Sequence, residues 1–256
     1  MRRKLIAGNW KMNLTYKESE KLAKEITAKI EQKELNKVDV LLCPTFVSLG
    51  IVNKTIKDTD IKLGAQNISY ENNGAFTGEV SAEILKSAGC EYVIIGHSER
   101  RSYFHESNAV INKKIKKAIE FALKPVFCVG ESLIEREDEI YEGIIEKQIT
   151  EGLTGIDAEQ ISEIVIAYEP VWAIGTGLNA TPDQASQIHS FIRKVIQKLY
   201  NEKTANEILI LYGGSVNEKN SAEMLSAEGI DGALIGGASL KSDDFAMIVK
   251  KAAQIK

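Results

Sequence analysis

Short runs of β-branched and other apolar residues alternate along the chain with longer stretches whose apolar positions recur at helical spacing. The runs at 4–10, 38–43, 62–66, 92–96, 125–128, 164–168, 208–212 and 232–235 are short and almost continuously apolar, as strands buried on both faces must be. Amphipathic stretches at 17–30, 47–56, 81–88, 109–123, 134–151, 182–200, 218–226 and 243–253 predict a helix after each strand. Local start signals agree with several of them. Thr181-Pro182-Asp183-Gln184 offers a capping Thr, a Pro suited to the first helical position and a Gln that reaches back, and Thr15-Tyr16-Lys17-Glu18 repeats the box.

Strict strand–helix alternation predicts parallel strands with helices outside, and eight such units close into a (β/α)8 barrel, eight parallel strands surrounded by helices. The length of 256 residues fits one barrel domain over 1–256, with no linker, low-complexity segment or repeat regular enough for a solenoid. In a barrel of this kind the chemistry sits in the loops after the strands.

Composition narrows the function classes. Hydrophobic residues make up 44% and charged residues 27%, and no apolar run approaches the roughly 20 residues of a membrane span, so no membrane association is expected. The amino terminus passes from basic residues straight into a strand without the apolar stretch of a signal peptide, so a cytoplasmic location is expected. A formal net charge of −4, with bases scattered among acids, lacks the footprint of a nucleic-acid binder. An anionic ligand would instead be drawn by backbone N–H groups at helix starts. Cys43, Cys90 and Cys128 are odd in number and widely spaced, which builds neither a disulfide framework nor a metal motif.

The polar and glycine-rich residues concentrate after the strands. Glu169 ends an apolar strand and is backed by Pro170; facing the barrel mouth, its carboxylate would be desolvated and made more basic, the state of a general base. The plain alternative is a rim carboxylate in a salt bridge. Val171-Trp172-Ala173-Ile174-Gly175-Thr176-Gly177 sets an apolar cluster between Pro170 and a Gly-Thr-Gly end, which suits either a water-excluding lid or a packed loop. His97 precedes a helical first turn, whose dipole disfavours imidazolium and leaves a neutral ring able to donate to a developing oxyanion; a structural histidine is the alternative. His105 and His189 read as structural. Lys11 after the first strand can fix an anion, Asn9 supplies a directed amide, and Glu99 is a partner for Lys11. Gly213-Gly214-Ser215 and Gly236-Gly237 follow the last two strands, where glycine lets backbone N–H groups approach a phosphate; alone, such pairs mean only tight turns.

From end to end the chain resembles the triosephosphate isomerase family. The matching motifs are Asn9-Trp10-Lys11-Met12-Asn13, Gly96-His97-Ser98-Glu99-Arg100-Arg101, Cys128-Val129-Gly130-Glu131, the run from Ala167 through Tyr168, Glu169 and the lid to Gly177, and Tyr212-Gly213-Gly214-Ser215-Val216. The resemblance implies a TIM barrel that interconverts dihydroxyacetone phosphate and D-glyceraldehyde 3-phosphate in glycolysis and gluconeogenesis, with no cofactor and no metal. It assigns proton transfer to Glu169, enediolate support to His97, charge to Lys11 and orientation to Asn9. Phosphate would fall to the N–H groups of Gly175, Ser215, Gly236 and Gly237, and the lid to Pro170, Val171, Trp172, Ala173, Ile174, Gly175 and Thr176. Glu99 ranks below these.

The resemblance also implies a homodimer in which Thr77, at the tip of the long segment 66–79, docks beside Met12, Lys11 and His97 of the partner subunit. Ile68, Tyr70 and Phe76 in that segment need somewhere to be buried. His105 and Leu178 depart from the family pattern, in a turn and just after the lid. Two other readings stand: a phosphate-binding barrel acting through a Schiff base on Lys11, and a non-catalytic scaffold.

Overall fold

The computed structural model describes residues 2–173 and 180–255, so Ile174, Gly175, Thr176, Gly177 and Leu178 lie outside the described residues. Eight parallel strands form a closed barrel in sequence order: β1 (Lys4–Asn9), β2 (Val38–Cys43), β3 (Lys62–Ala65), β4 (Tyr92–Ile95), β5 (Lys124–Val129), β6 (Val165–Tyr168), β7 (Leu209–Tyr212) and β8 (Gly232–Ile235). Closure comes from β1 pairing with β8, with Leu5 opposite Gly232 and Gly8 opposite Ile235. All eight strands stand where the apolar runs predict them, within a residue or so at the ends.

Alternation along each strand sorts the side chains into two layers. Leu5, Ala7, Leu41, Cys43, Ile94, Val126, Cys128, Val165, Ala167, Leu211 and Leu234 fill the barrel. Their neighbours Ile6, Val40, Leu42, Val93, Ile95, Phe127, Val129, Ile166 and Ile210 point outward into the layer beneath the helices. Because both layers are buried, the strands read as continuous apolar runs. All three cysteines are free and buried; desolvation pushes the Cys90 thiol up to about 12 and the Cys43 thiol higher still.

Around the barrel run α1 (Tyr16–Lys29), α2 (Gln32–Leu35), α3 (Leu49–Ile56), α4 (Ala82–Ser87), α5 (Ser98–Tyr103), α6 (Asn108–Glu120), α7 (Leu133–Glu137), α8 (Tyr141–Gly152), α9 (Pro182–Leu199), α10 (Glu202–Glu207), α11 (Ser221–Ser226) and α12 (Ser242–Ala252). Both predicted capping boxes form, Thr15 with Glu18 and Thr181 with Gln184, the latter with Pro182 in the first turn. The stretch 134–151 is not one helix. A capping box between Ser132 and Glu135 starts α7, and Glu139, at φ 57°, turns the chain before α8 begins. Apolar spacing continues across that break, so periodicity alone could not reveal it. Similarly 218–226 shortens to α11, because the Asn217 side chain accepts from Lys219 and Asn220 N–H groups and holds a turn there. The segments α2 and α10 are too short to carry a periodic signal.

Phe127 is fully buried in the outer layer against Gly152, where an added Cβ would stand 2.4 Å from its ring. Phe127→Ala is expected to cost about 3–5 kcal/mol, because the rigid barrel wall cannot collapse into the space left behind. The shift of the denaturant midpoint at unchanged m checks it; a loss below about 1 kcal/mol would mean the layer repacks freely.

Candidate active site

The ends of β1, β4, β6, β7 and β8 open into one cavity of about 470 Å³, walled by Asn9, Lys11, His97, Glu169, Gly213, Gly214, Ser215, Gly236 and Gly237. Residues far apart in the chain meet here because each ends a strand or follows one directly. Asn9 is the last residue of β1, and its side-chain oxygen accepts from the Lys11 N–H at 3.0 Å, which shapes the turn that puts Lys11 at φ 50°. Gln66, just past β3, fastens the same turn, donating to the Lys11 carbonyl at 2.8 Å and the Cys43 carbonyl at 2.9 Å. Lys11 Nζ then meets Glu99 Oε1 at 2.6 Å, the pairing expected from the sequence.

His97 lies between β4 and α5 and caps that helix: its Nδ1 accepts from the Glu99 N–H at 3.2 Å. The ring proton is therefore on Nε2, which meets Glu169 Oε1 at 2.9 Å. The other oxygen of Glu169 accepts from the Ser98 N–H at 2.9 Å. Glu169 is 2% exposed and His97 5%. A Cβ on Gly213 would stand 2.9 Å from Glu169 Cγ, so the bare backbone of Gly213 makes room for the acid.

One expectation about charge is corrected. Burial does push Glu169 up, but the His97 charge and hydrogen bond, then the Ser98 N–H, more than offset it and hold the carboxyl below its ordinary value. Burial pulls His97 down while Glu169 and then Glu99 push it up, with a net rise; the Glu99 N–H at the helix start holds Nδ1 as an acceptor, the arrangement expected of a neutral ring. When Nδ1 is protonated in turn, Glu99 Oε2 stands 3.5 Å away, near enough to pair with the charge.

On the far wall, Ser215 Oγ donates to the Ala173 carbonyl at 3.0 Å, and Ser239 N–H to the Gly236 carbonyl at 2.9 Å. Gly236 and Gly237 leave the wall bare of side chains there, and a Cβ on Gly236 would be 3.4 Å from Lys11 Cε. Pro170 is buried, and Val171–Ala173 form a single 3-10 turn. Trp172 Nε1 donates to Glu131 Oε1 at 2.8 Å, and Tyr168 donates to the same oxygen at 3.0 Å. Glu131 was legible only as part of a motif, with nothing in the sequence to show that it gathers these donors. Gln66 and the Ser98 N–H went unrecognised for the same reason, since their partners are distant in the chain.

A second cavity of about 680 Å³ lies behind Lys11 and His97, bounded by Met12, Phe46, Gln66, Glu99, Tyr103 and Phe104. Met12 is 93% exposed and Tyr103 75%. In the segment 66–79, Ile68 is fully buried and the Lys113 ammonium stands 5.2 Å from the centre of the half-buried Tyr70 ring, while Phe76 and Thr77 stay exposed. His189 is a buried structural residue, as expected, with Nδ1 3.1 Å from the Gly229 carbonyl and its pKa lowered by burial to about 4. His105 sits at φ 53° in its turn. Among the described residues no cluster of His, Cys, Asp or Glu could hold a metal, and no helix is long and apolar enough to cross a membrane.

Fold and rim together place the chain among the (β/α)8-barrel enzymes. The family model for triosephosphate isomerase matches residues 4–252. The triosephosphate isomerase of Dictyoglomus thermophilum is 52% identical over 253 residues, covering 98% of this chain and 100% of that protein. Those of Clostridium botulinum (Type A) and Chloroherpeton thalassium are 50% identical over 249 residues and 48% over 252, covering 97% and 98% of this chain and 99% and 100% of theirs. The chain belongs to the triosephosphate isomerase family, and as a member of it is an intramolecular isomerase of triose phosphates.

The contact between Glu169 and His97 makes a pH prediction. The Glu169 contribution to stability is present above the ordinary carboxyl value of 4.5 and lost as pH falls through its depressed folded value. The His97 contribution is fully present below the ordinary value of 6.5 and lost as pH rises through its raised folded value. The excess thermal stability of the native chain over Glu169→Gln should therefore peak between those ordinary values and shrink on either side. A difference that is flat with pH in calorimetry would remove the pair.

Proposed function

We propose that the chain interconverts dihydroxyacetone phosphate and D-glyceraldehyde 3-phosphate through an enediolate, with Glu169 as the base. The observation that carries this reading is the buried 2.9 Å contact between a carboxylate and an imidazole N–H at the wall of the cavity. A substrate carbonyl oxygen arriving at His97 Nε2 competes for the proton that Glu169 now accepts. Release from His97 leaves burial as the dominant influence on Glu169, and its basicity rises as the chemistry needs it. The carboxylate then removes a proton from the carbon beside the carbonyl. The C–H electrons form the enediolate double bond, and negative charge collects on the oxygen facing His97 Nε2–H and the Lys11 ammonium. Return of the proton to the neighbouring carbon, with His97 moving the hydroxyl proton between the oxygens, completes the exchange without a cofactor.

Asn9 orients the substrate beside Lys11, and the bare wall at Ser215, Gly236 and Gly237 offers N–H groups to the phosphate, joined by Gly175 from the lid. The lid, from Pro170 to Thr176, excludes water from the enediolate. Glu99 holds the Lys11 ammonium in place, which leaves that nitrogen engaged rather than free to attack a carbonyl and speaks against a Schiff base. The proposed reaction is one of glycolysis and gluconeogenesis, and a cytoplasmic location belongs to the same reading.

A homodimer fits the second cavity. Its apolar rim of Met12, Phe46, Tyr103 and Phe104 is exposed beside the catalytic Lys11 and His97. An exposed loop tip carrying Phe76 and Thr77 has the shape and chemistry to fill it from the partner subunit. The partner braces Asn9, Lys11 and His97 and adds no reacting group.

A coupled isomerase assay on the purified chain tests the reaction itself. Glu169→Asp draws the carboxylate back by about 1 Å and should lower turnover on the order of 10²-fold with KM little changed; native turnover would take Glu169 out of the chemistry. Replacing 70–78 with a short turn should give a folded monomer of much reduced turnover. Sedimentation and assay of one sample decide this, and either a monomeric native chain or a fully active monomeric deletion would break the dimer reading.

A further inference from the structure

The backbone of Glu169 is pressed against the loop that follows β5. A Cβ on Gly130 would stand 1.8 Å from the Glu169 carbonyl oxygen and 3.2 Å from its Cα, so the two main chains touch and only glycine fits. Hydrogen bonds continue past the end of the sheet on both sides of that contact. The Glu169 N–H donates to the Val129 carbonyl at 2.7 Å, and the Val171 N–H donates to the Glu131 carbonyl at 3.1 Å. The stretch 129–131 therefore serves as the rail along which the base and the start of the lid are laid.

One side chain takes both polar groups of Gly130. Its N–H donates to Gln148 Oε1 at 2.8 Å, and its carbonyl accepts from Gln148 Nε2 at 2.9 Å. A planar carboxamide can satisfy a donor and an acceptor at once, as a neighbouring strand would, and Asn is a methylene too short to reach from the same backbone. Gln148 is fixed on α8 beside Ile145 and Ile149, both fully buried against the barrel, so the clamp is anchored to a rigid element. Next to it lies a polar cavity of about 240 Å³ walled by Ser98, Arg101, Glu135, Gln148 and Glu169. With that space behind Glu169, hydrogen bonds hold the rail from this side: the two from Gln148 at Gly130, and one from Arg101 to the Cys128 carbonyl at 3.0 Å just before it.

We propose that Gln148 is a positioning residue for the isomerisation: by clamping Gly130 it sets the backbone of Glu169, and with it the reach of the carboxylate, without touching substrate. This rests on Glu169 being the base. Gln148→Met keeps the length of the side chain and removes both hydrogen bonds. It should lower kcat by roughly 10- to 10²-fold while KM stays within about twofold, since the phosphate wall is untouched. A smaller folded fraction would also lower kcat, so the deciding readout is the primary deuterium isotope effect with substrate deuterated at the carbon that loses its proton. That ratio is independent of the amount of active enzyme and should exceed the native value when proton transfer slows. Should Gln148→Met fail to fold, Gln148→Glu, which still accepts from the Gly130 N–H but does not donate to its carbonyl, is measured in the same way. Native kcat, or reduced kcat with a native isotope effect, overturns the role of Gln148. A native chain without isomerase activity would instead overturn the functional reading beneath it.

Discussion

The pairing of β8 with β1 closes the sheet, and the rest of the molecule depends on that closure. An open parallel sheet would leave two edges with unpaired backbone groups and would fan its strand ends apart. Closed, the strands satisfy one another around the ring and their carboxyl ends meet at a single rim. Asn9, His97, Glu169, Ser215 and Gly236 share a wall only because each stands at or just past the end of a strand. The packed interior beneath them, from Leu5 to Leu234, gives that rim a rigid floor.

On this floor the chain buries a carboxylate almost completely, which is costly unless the charge is met. His97 and the Ser98 N–H meet it in the state described. The consequence is a carboxylate whose basicity depends on its company. Held by His97 it is a weak base, and parted from His97 it is left with desolvation, which acts the other way. A low-dielectric site stabilises the pair and sharpens the change when the pair separates.

The neighbouring buried acid, Glu131, has a different task. It gathers Tyr168, Trp172 and Arg136 around one oxygen, and burial raises its pKa against the pull of those donors. Through it the end of β6, the loop after β5 and the turn at Val171–Ala173 share one anchor. Gly130 and Glu131 together couple the backbone of Glu169 to the turn at Val171–Ala173.

The barrel was legible in the sequence because its signal is local and repeated. Apolar runs followed by amphipathic stretches arise from residues within a few positions of one another, as do the caps at Thr15 and Thr181 and the glycines at the last two strand ends. Family motifs added the identities of Glu169, His97 and Lys11. What the tertiary structure alone decided was how these groups answer one another. Desolvation at Glu169 could be foreseen from its place at a strand end, but the charge that overrides it comes from His97, brought within 2.9 Å by the barrel. The break between α7 and α8, the burial of Ile68 and the two-sided hold of Gln148 on Gly130 escaped for the same reason. Periodicity records which face of an element is buried and is silent on what stands across from it, because Coulomb and hydrogen-bond energies depend on distances in space that the order of residues does not contain.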